Sequence, residues 1–578
     1  MNSPYPFDPM RSQRLAINSK LLWSLLILFI FAWLYALGMR TLVPTDEGRY
    51  AEMAREMLAS GDWITPRLNG IKYFEKPPLQ TWMNALTFAV FGLGEWQARL
   101  WTGLCGLLGI AMVGYTGLRL YGARTGLYAA MILASCLWWM GLGHINTLDM
   151  GLSGMMTLAL CSLLLAQRDE ATSMERRRWM RWCWTGMALA VLSNGLIGLI
   201  LPGAVLVLYT LASRDWTIWK RLNLTQGLPI FFAICTPWFV LVSLKNPEFP
   251  HFFFIHEHFE RFLTKTHRRE GPWYYFIPLL LAGLLPWLGL LPASLARAFK
   301  QTRPHFHPEY MLLIWSGFIF FFFSISGSKL PSYILPIFPT LALLIGAAMA
   351  QEHSQPPKDN PLQSSAQWNF VLLALIAAIA LYWVPEVGRF SFHPFEKPYI
   401  LALRPWLYAA CGLTLLGALL GLVLYMKAKR ELAMLTLAVA GFGCWFFIFA
   451  GTEAHGNYRA GMTLLPAIKA ELQPETKLYF VGMYDQTLPF YLRRTFTLVE
   501  HQDELEFGLK QEPHLWIKQR KAFVEVWQNG PPAIAIMSQE RFVSLHEERL
   551  RMRVMTRDAR RVVVTNQLLP APQRTRQP

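Results

Sequence analysis

Charge is scarce in this 578-residue chain: Asp, Glu, Lys and Arg make up 16% of it, against 53% apolar residues. So little charge cannot solvate the surfaces of several soluble domains, and the apolar residues cluster in runs near the ~20 residues that cross a bilayer as a helix. Cysteine is also sparse. All seven (105, 136, 161, 183, 235, 411 and 444) lie inside apolar runs, so they read as small buried hydrophobes rather than a disulfide framework or a zinc cluster. A Gly-rich nucleotide fingerprint, a P-loop, an HExxH and a GxSxG motif are all missing, which leaves a nucleotide cofactor without support. The apolar run 21–38 has no small-residue cleavage site after it and reads as a retained first span.

Thirteen spans are expected, near 21–38, 97–119, 124–143, 149–167, 182–197, 198–213, 226–244, 273–296, 309–326, 331–350, 368–386, 404–426 and 431–451. Residues 182–213 form one apolar run broken by Gly195, Gly198, Pro202 and Gly203. The basic loops on either side, 168–181 and 213–221, both belong in the cytoplasm by the positive-inside rule, so two crossings must separate them. The same rule holds Arg11, Arg14 and Lys20 inside and leaves 39–96, 245–272 and the C-terminus outside. Residues 79–93 are too short and interrupted for a span and read as a helix lying in the interface. Acids number 37 against 54 bases, a net charge of +17. That excess exceeds what cytoplasmic loops need and suits a polyanionic partner: nucleic acid, anionic lipid or a phosphorylated substrate.

From about 452 the composition turns soluble. KLYFVG, TFTLVE, AIAIMS and RVVVTNQ read as strands, with TLPFYLRR and SQERFVSLHEERL as helices between them. A small α/β domain over 452–578 follows, behind a transmembrane domain over 1–451.

Chemistry concentrates outside the membrane. TDEGRYAEMAREMLASGDW (45–63) leaves the first span with adjacent acids, Asp46 and Glu47. Tyr50, Met53, Ala54, Met57 and Leu58 keep a helical period, with Thr45 placed to cap it and Gly61 to end it. Acids in a first turn complement the helix dipole, by ~0.3–1 kcal/mol. These, however, lie at lipid-headgroup level, and Asp149 in GHINTLDMG occupies another outer span mouth. Carboxylates there are costly without partners or water, so Asp46 and Asp149 are the candidate catalytic acids. In KYFEKPPLQTW (72–82), Lys76 precedes Pro77, and its restricted backbone suits a fixed point charge for phosphate better than snorkelling. HFFFIHEHFERFLTKTHRREGPW (251–273) offers Arg261, whose planar fork fits phosphate oxygens. Its His256 and His258 are not on one helical face, so a structural zinc would have to recruit Glu75 or another loop. GSKLPSYILP (327–336) adds Lys329 and Tyr333 as phosphate donors, and Glu500 is a tail acid that could reach the site from above.

The stretch from Thr45 to Trp82, with Asp46, Arg49 and Tyr50 followed by Lys76-Pro77-Pro78, resembles the first outer loop of polytopic bacterial glycosyltransferases of GT-C architecture. It is most similar to the lipid A aminoarabinose transferase family, with protein O-mannosyltransferases as broader kin. The resemblance implies an inverting transfer of 4-amino-4-deoxy-L-arabinose from undecaprenyl phosphate to a lipid A phosphate at the periplasmic face of a Gram-negative inner membrane. It places the family's acids on Asp46 and Asp149, its cationic clamp on Lys76 and Arg261, and further substrate contacts on Glu47, Arg49 and Tyr50. No cofactor is then required, nucleic acid is not a partner, and a monomer is expected. Two alternatives stay open: another polyprenyl-phosphate-sugar transferase acting on hydroxyls, and a lipid-linked sugar transporter. The transporter is disfavoured because the inner segments carry almost no charge to line a midplane path.

Overall fold

The computed structural model describes residues 18–260, 271–300, 306–352, 361–391 and 393–567. The chain begins with α1 (Ser19–Ala36), α2 (Asp46–Ser60), a two-stranded ribbon of β1 (Arg67–Leu68) and β2 (Ile71–Lys72), α3 (Leu79–Phe91) and α4 (Glu95–Tyr121). It continues through α5 (Ala123–Ser135), α6 (Leu137–Leu142), α7 (Leu148–Gln167), α8 (Ser173–Asn194) and α9 (Ile197–Ser213). Among the described residues nine helices are long and apolar enough to span a membrane, and the protein is a multi-pass membrane protein. A bent pair, Phe276–Gly283 and Leu288–Lys300, adds a tenth candidate.

Several expected spans differ in detail. The run 124–143 is two helices broken at Cys136, and 273–296 bends by 107°. The bend falls at Pro286, which has no N–H to continue the ladder. Asn369 repairs the break, donating to the Pro286 carbonyl at 3.1 Å and accepting from the Gly289 N–H at 2.8 Å. The run 182–213 divides into α8 and α9 after Gly195, at φ +82°. α8 starts earlier than its apolar run, at Ser173, because Thr172 and Glu175 form a capping box. α3, at 13 residues, measures about 20 Å, short of the ~30 Å hydrocarbon core. It buries Gln80, Asn84 and Phe88 while leaving Leu86, Val90 and Phe91 exposed, as an interfacial helix would.

The tail builds a six-stranded sheet from β3 (Lys477–Val481), β4 (Thr497–Val499), β5 (Trp516–Ile517), β6 (Ala533–Ser538), β7 (Arg553–Arg557) and β8 (Arg561–Thr565), in the order 5-4-3-6-8-7. β4, β3 and β6 run parallel, while β8 returns antiparallel to β6. The short β5 and β7 went unread in the sequence: β5 is two residues long and β7 alternates polar residues on a partly exposed edge.

The sheet is not an independent body. Tyr50, Met53, Leu68, Ile71, Tyr73 and Leu148 share one apolar core with Phe480, Leu488, Phe496 and Val563. Asn69 clasps Phe496 from both sides, donating to its carbonyl at 2.6 Å and accepting its N–H at 2.7 Å. Glu453 holds the Thr41 N–H at 2.7 Å. Gly48 marks the tightest approach: a Cβ there would stand 2.6 Å from the Gln486 carbonyl oxygen and 2.7 Å from a Thr487 methyl. Gly48→Ala should therefore lower thermal stability in detergent by about 1–3 kcal/mol, the usual cost of overpacking. An unchanged unfolding midpoint would show that the sheet domain is not pressed against α2.

Candidate active site

α2 presents its first turn to three different environments. Gly61, at φ +71°, ends the helix as expected, but the Thr45 side chain makes no capping bond. Asp46 begins the helix with its carboxylate 44% exposed and accepts from Arg49 at 2.9 Å. Arg49 also pairs with Glu504 of the tail and lies over the Tyr50 and Tyr73 rings. Tyr50 is buried, and burial, with Asp46, Glu75 and Asp149 nearby, pushes its phenol above the ordinary range. It therefore keeps its proton.

Glu47, expected to contact substrate, does not. Its side chain is 2% exposed. Its carboxylate accepts from Arg40 at 2.7 Å, from Arg99 at 2.6 and 3.0 Å, and from the backbone N–H groups of Val43 at 3.0 Å and Asn146 at 2.9 Å. Every lone pair has a partner, so none is left for a ligand. Sequence inspection missed this because the partners come from the end of the first span, the start of α4 and the loop before α7. Arg99, a charge just inside an apolar run, was the available clue.

The remaining candidates converge. Glu75, Lys76, Asp149 and Tyr333 line one cavity of about 440 Å³, with Asn194, Glu257 and Ser332 as further polar walls. Leu152, Ile197, Ile200, Phe322, Phe323 and Pro336 supply an apolar side. Ser332 hydrogen-bonds Asp149, and Lys76 and Asp46 both lie within its electrostatic reach. Lys329 is placed next door: it lines a cavity of about 540 Å³ with Trp273, Phe320 and Phe321, and its ammonium donates to the Ser326 carbonyl at 2.6 Å. Ser326 lines both cavities. Glu500 stands apart, bound to Arg520 at 3.3 Å and Arg541 at 3.1 Å. Glu504 is the tail acid that meets the first loop, four residues on. His256 stacks on Phe252, and among the described residues no group of three His, Cys, Asp or Glu side chains converges on a metal. Arg261 and His258's side chain lie outside the described residues.

The cavity brings one ammonium, a phenol and serine hydroxyls together with the carboxylates of Glu75, Asp149 and Glu257 and a long apolar lining, so it can take an anionic group at Lys76 and a cationic or amine group at the acids. The cluster beneath it carries a pH signature. Burial alone would raise the Glu47 carboxyl, but Arg40, Arg99 and the Asn146 N–H hold it at about 2, below its ordinary 4.5. The native state thus binds fewer protons than the unfolded chain. The stabilisation, about 3 kcal/mol at 1.36 kcal/mol per unit, is complete above pH ~4.5 and is lost as pH falls toward ~2. Thermal unfolding from pH 7 down should show that loss in the wild type and a flatter profile in Glu47→Gln. Glu47→Ala should cost about 3–5 kcal/mol, since it strands two buried guanidinium groups.

The profile of the aminoarabinose transferase C-terminal domain matches residues 464–566, and that of dolichyl-phosphate-mannose-protein mannosyltransferases matches 75–241. The undecaprenyl phosphate-α-4-amino-4-deoxy-L-arabinose arabinosyl transferase of Erwinia tasmaniensis is 32% identical over 410 residues, covering 68% of this chain and 72% of that one. Its counterpart in Pseudomonas paraeruginosa is 33% identical over 403 residues, covering 69% and 72%. The fold superposes on the crystal structure of ArnT from Cupriavidus metallidurans bound to undecaprenyl phosphate with a TM-score of 0.90 at 40% identity, over 96% of this chain and 100% of that one. The apo form gives a TM-score of 0.89 at the same identity. With its loop-one acids, its polar cavity around Lys76 and Asp149 and its tail sheet all in one frame, this chain belongs to the aminoarabinose transferase family, glycosyltransferases of GT-C architecture.

Proposed function

We propose that the protein transfers 4-amino-4-deoxy-L-arabinose from undecaprenyl phosphate to a phosphate group of lipid A. The transfer takes place at the periplasmic face of a Gram-negative inner membrane, and the enzyme acts as a monomer. The observation that carries this reading is the shared cavity of Glu75, Lys76, Asp149 and Tyr333. The Lys76 ammonium and the Tyr333 hydroxyl suit a lipid phosphate, and the apolar wall of Ile197, Ile200 and Phe322 suits the first isoprene units. The relatives' name and the undecaprenyl phosphate in the Cupriavidus structure support the same donor.

The chemistry follows from charge. An acceptor phosphate oxygen attacks C1 of the sugar, the bond from C1 to the donor phosphate oxygen breaks, and its electron pair leaves with the polyprenyl phosphate. Lys76 and Tyr333 stabilise that developing anion electrostatically. Arg261, which lies outside the described residues, is proposed for the same clamp. Asp46 and Asp149 face the oxocarbenium-like sugar, where a carboxylate stabilises positive charge and orients the ring amine. A phosphate monoester, with a second pKa of about 6, arrives largely ionised and needs positioning more than deprotonation. No cofactor enters the scheme. A zinc held by Glu75 and His256 would be structural. Adding an amino sugar reduces the negative charge of lipid A, which links the activity to polymyxin resistance.

The mannosyltransferase match over 75–241 favours a second reading, transfer to a protein hydroxyl, in which Asp46 must act as general base. Mass spectrometry of products from purified enzyme, synthetic donor and lipid A separates the two. The expected product is lipid A bearing one aminopentosyl group. Asp46→Asn should slow its formation by at least about 100-fold, and Lys76→Ala should lower kcat/KM for the donor by about 100-fold. Wild-type kinetics in either variant would remove that residue from the mechanism.

A further inference from the structure

A second polar cavity, of about 390 Å³, opens beside Thr45, the residue before Asp46. Its walls include Pro44 and Thr45, the loop 482–486 that follows β3, the loop 501–504 that follows β4, and two arginines, Arg459 and Arg560. Its position in the sheet is telling. The chain leaves β3 toward β4 and β5 on one side, then returns to β6 on the other, so the order reverses at β3. Parallel sheets bind ligands in the crevice beyond the carboxyl ends of their strands at such a reversal. Arg560 reaches that edge because β8 is antiparallel and begins at Arg561, opposite Ser538, the last residue of β6.

The cavity carries charges of both signs, and Asp485 lines it within electrostatic reach of Arg560. Arg561, buried beneath, is fully engaged: it donates to Asp485 at 2.6 Å and to Asp558 at 3.0 Å. Arg459 and Arg561 crowd Arg560 with like charge, and among the described residues Arg560 has no carboxylate partner. Among the described residues Arg459 pairs with Glu396, at 3.5 Å. The same cavity is lined by His501, Gln502, Asp503 and Glu504, and Glu504 is anchored by Arg49 and by Gln486 at 2.9 Å. Two guanidinium groups in one cavity with carboxylates and amides fit a phosphorylated saccharide: phosphate on the arginines, hydroxyls or amine on the acids. Bare phosphate would meet repulsion from Asp503 and Glu504.

We infer that the cavity lined by Arg459, Arg560 and the loop 501–504 is an acceptor subsite that holds the phosphorylated sugar headgroup of the glycolipid, delivering it to Asp46. This inference rests on the transferase reading above.

The test uses the full-length enzyme in detergent with synthetic donor and lipid A. Arg560→Ala should raise the acceptor KM about tenfold, the worth of one charged hydrogen bond. The double variant Arg459→Ala/Arg560→Ala should raise it further, Arg560→Lys should recover part of the loss, and the donor KM should stay at the wild-type value throughout. Calorimetric binding of a soluble phosphorylated glucosamine disaccharide, which needs no turnover, should be lost in the double variant. An acceptor KM within twofold of wild type in the double variant would overturn the subsite, as would inorganic phosphate binding as tightly as the disaccharide. A wild-type enzyme that binds the disaccharide yet transfers no sugar would instead sink the transferase reading alone.

Discussion

One buried carboxylate, Glu47, holds the active-site frame together. Two guanidinium groups and two backbone N–H groups converge on it in a space closed to water. Arg40 comes from the exit of the first span, Arg99 from the start of α4, and Asn146 from the turn that leads into α7. Three separate elements are thereby fixed to the first turn of α2. Asp46 is the residue before Glu47, and Asp149 is three residues beyond Asn146, so the distance between the two candidate catalytic acids is set by an ion cluster that touches no substrate. Low dielectric makes such a cluster stiff when fully satisfied and costly when any member is lost.

From this anchor the site opens in two directions. On one side Lys76, Asp149 and Tyr333 close around a cavity whose apolar wall is made by α9 and by Pro308–Ile325. On the other side the tail sheet presses its loops against Gly48 and Arg49. The tail is therefore a wall of the site rather than an appended module. Its core is continuous with that of the first loop, and the loops of its mixed sheet bring Glu504 to Arg49.

The membrane architecture was legible because it depends on local composition. Apolar runs near 20 residues, basic flanks and a break at Gly195 suffice to place helices, since hydrocarbon tolerates no unpaired backbone. Helix breaks with tertiary repair were not legible. The 107° bend at Pro286 depends on Asn369, more than 80 residues away and unremarkable in its own segment. The continuous apolar strands of the tail, β3, β6 and β8, were readable for the same local reason, whereas β5, two residues long, exists only because β4 offers it an edge.

From the sequence alone Asp46, Asp149, Lys76 and Tyr333 could be chosen as candidates because they stand at span mouths, and position relative to a bilayer is a one-dimensional property. The sequence could not assign roles among neighbours. Asp46 and Glu47 are adjacent and alike in charge, yet one is half exposed beside the cavities and the other is buried under two arginines. The same holds for Glu500 and Glu504, four residues apart. Successive helical residues point about 100° apart, and which direction meets solvent, guanidinium or cavity is decided by elements distant in the chain. Tertiary structure alone made that choice.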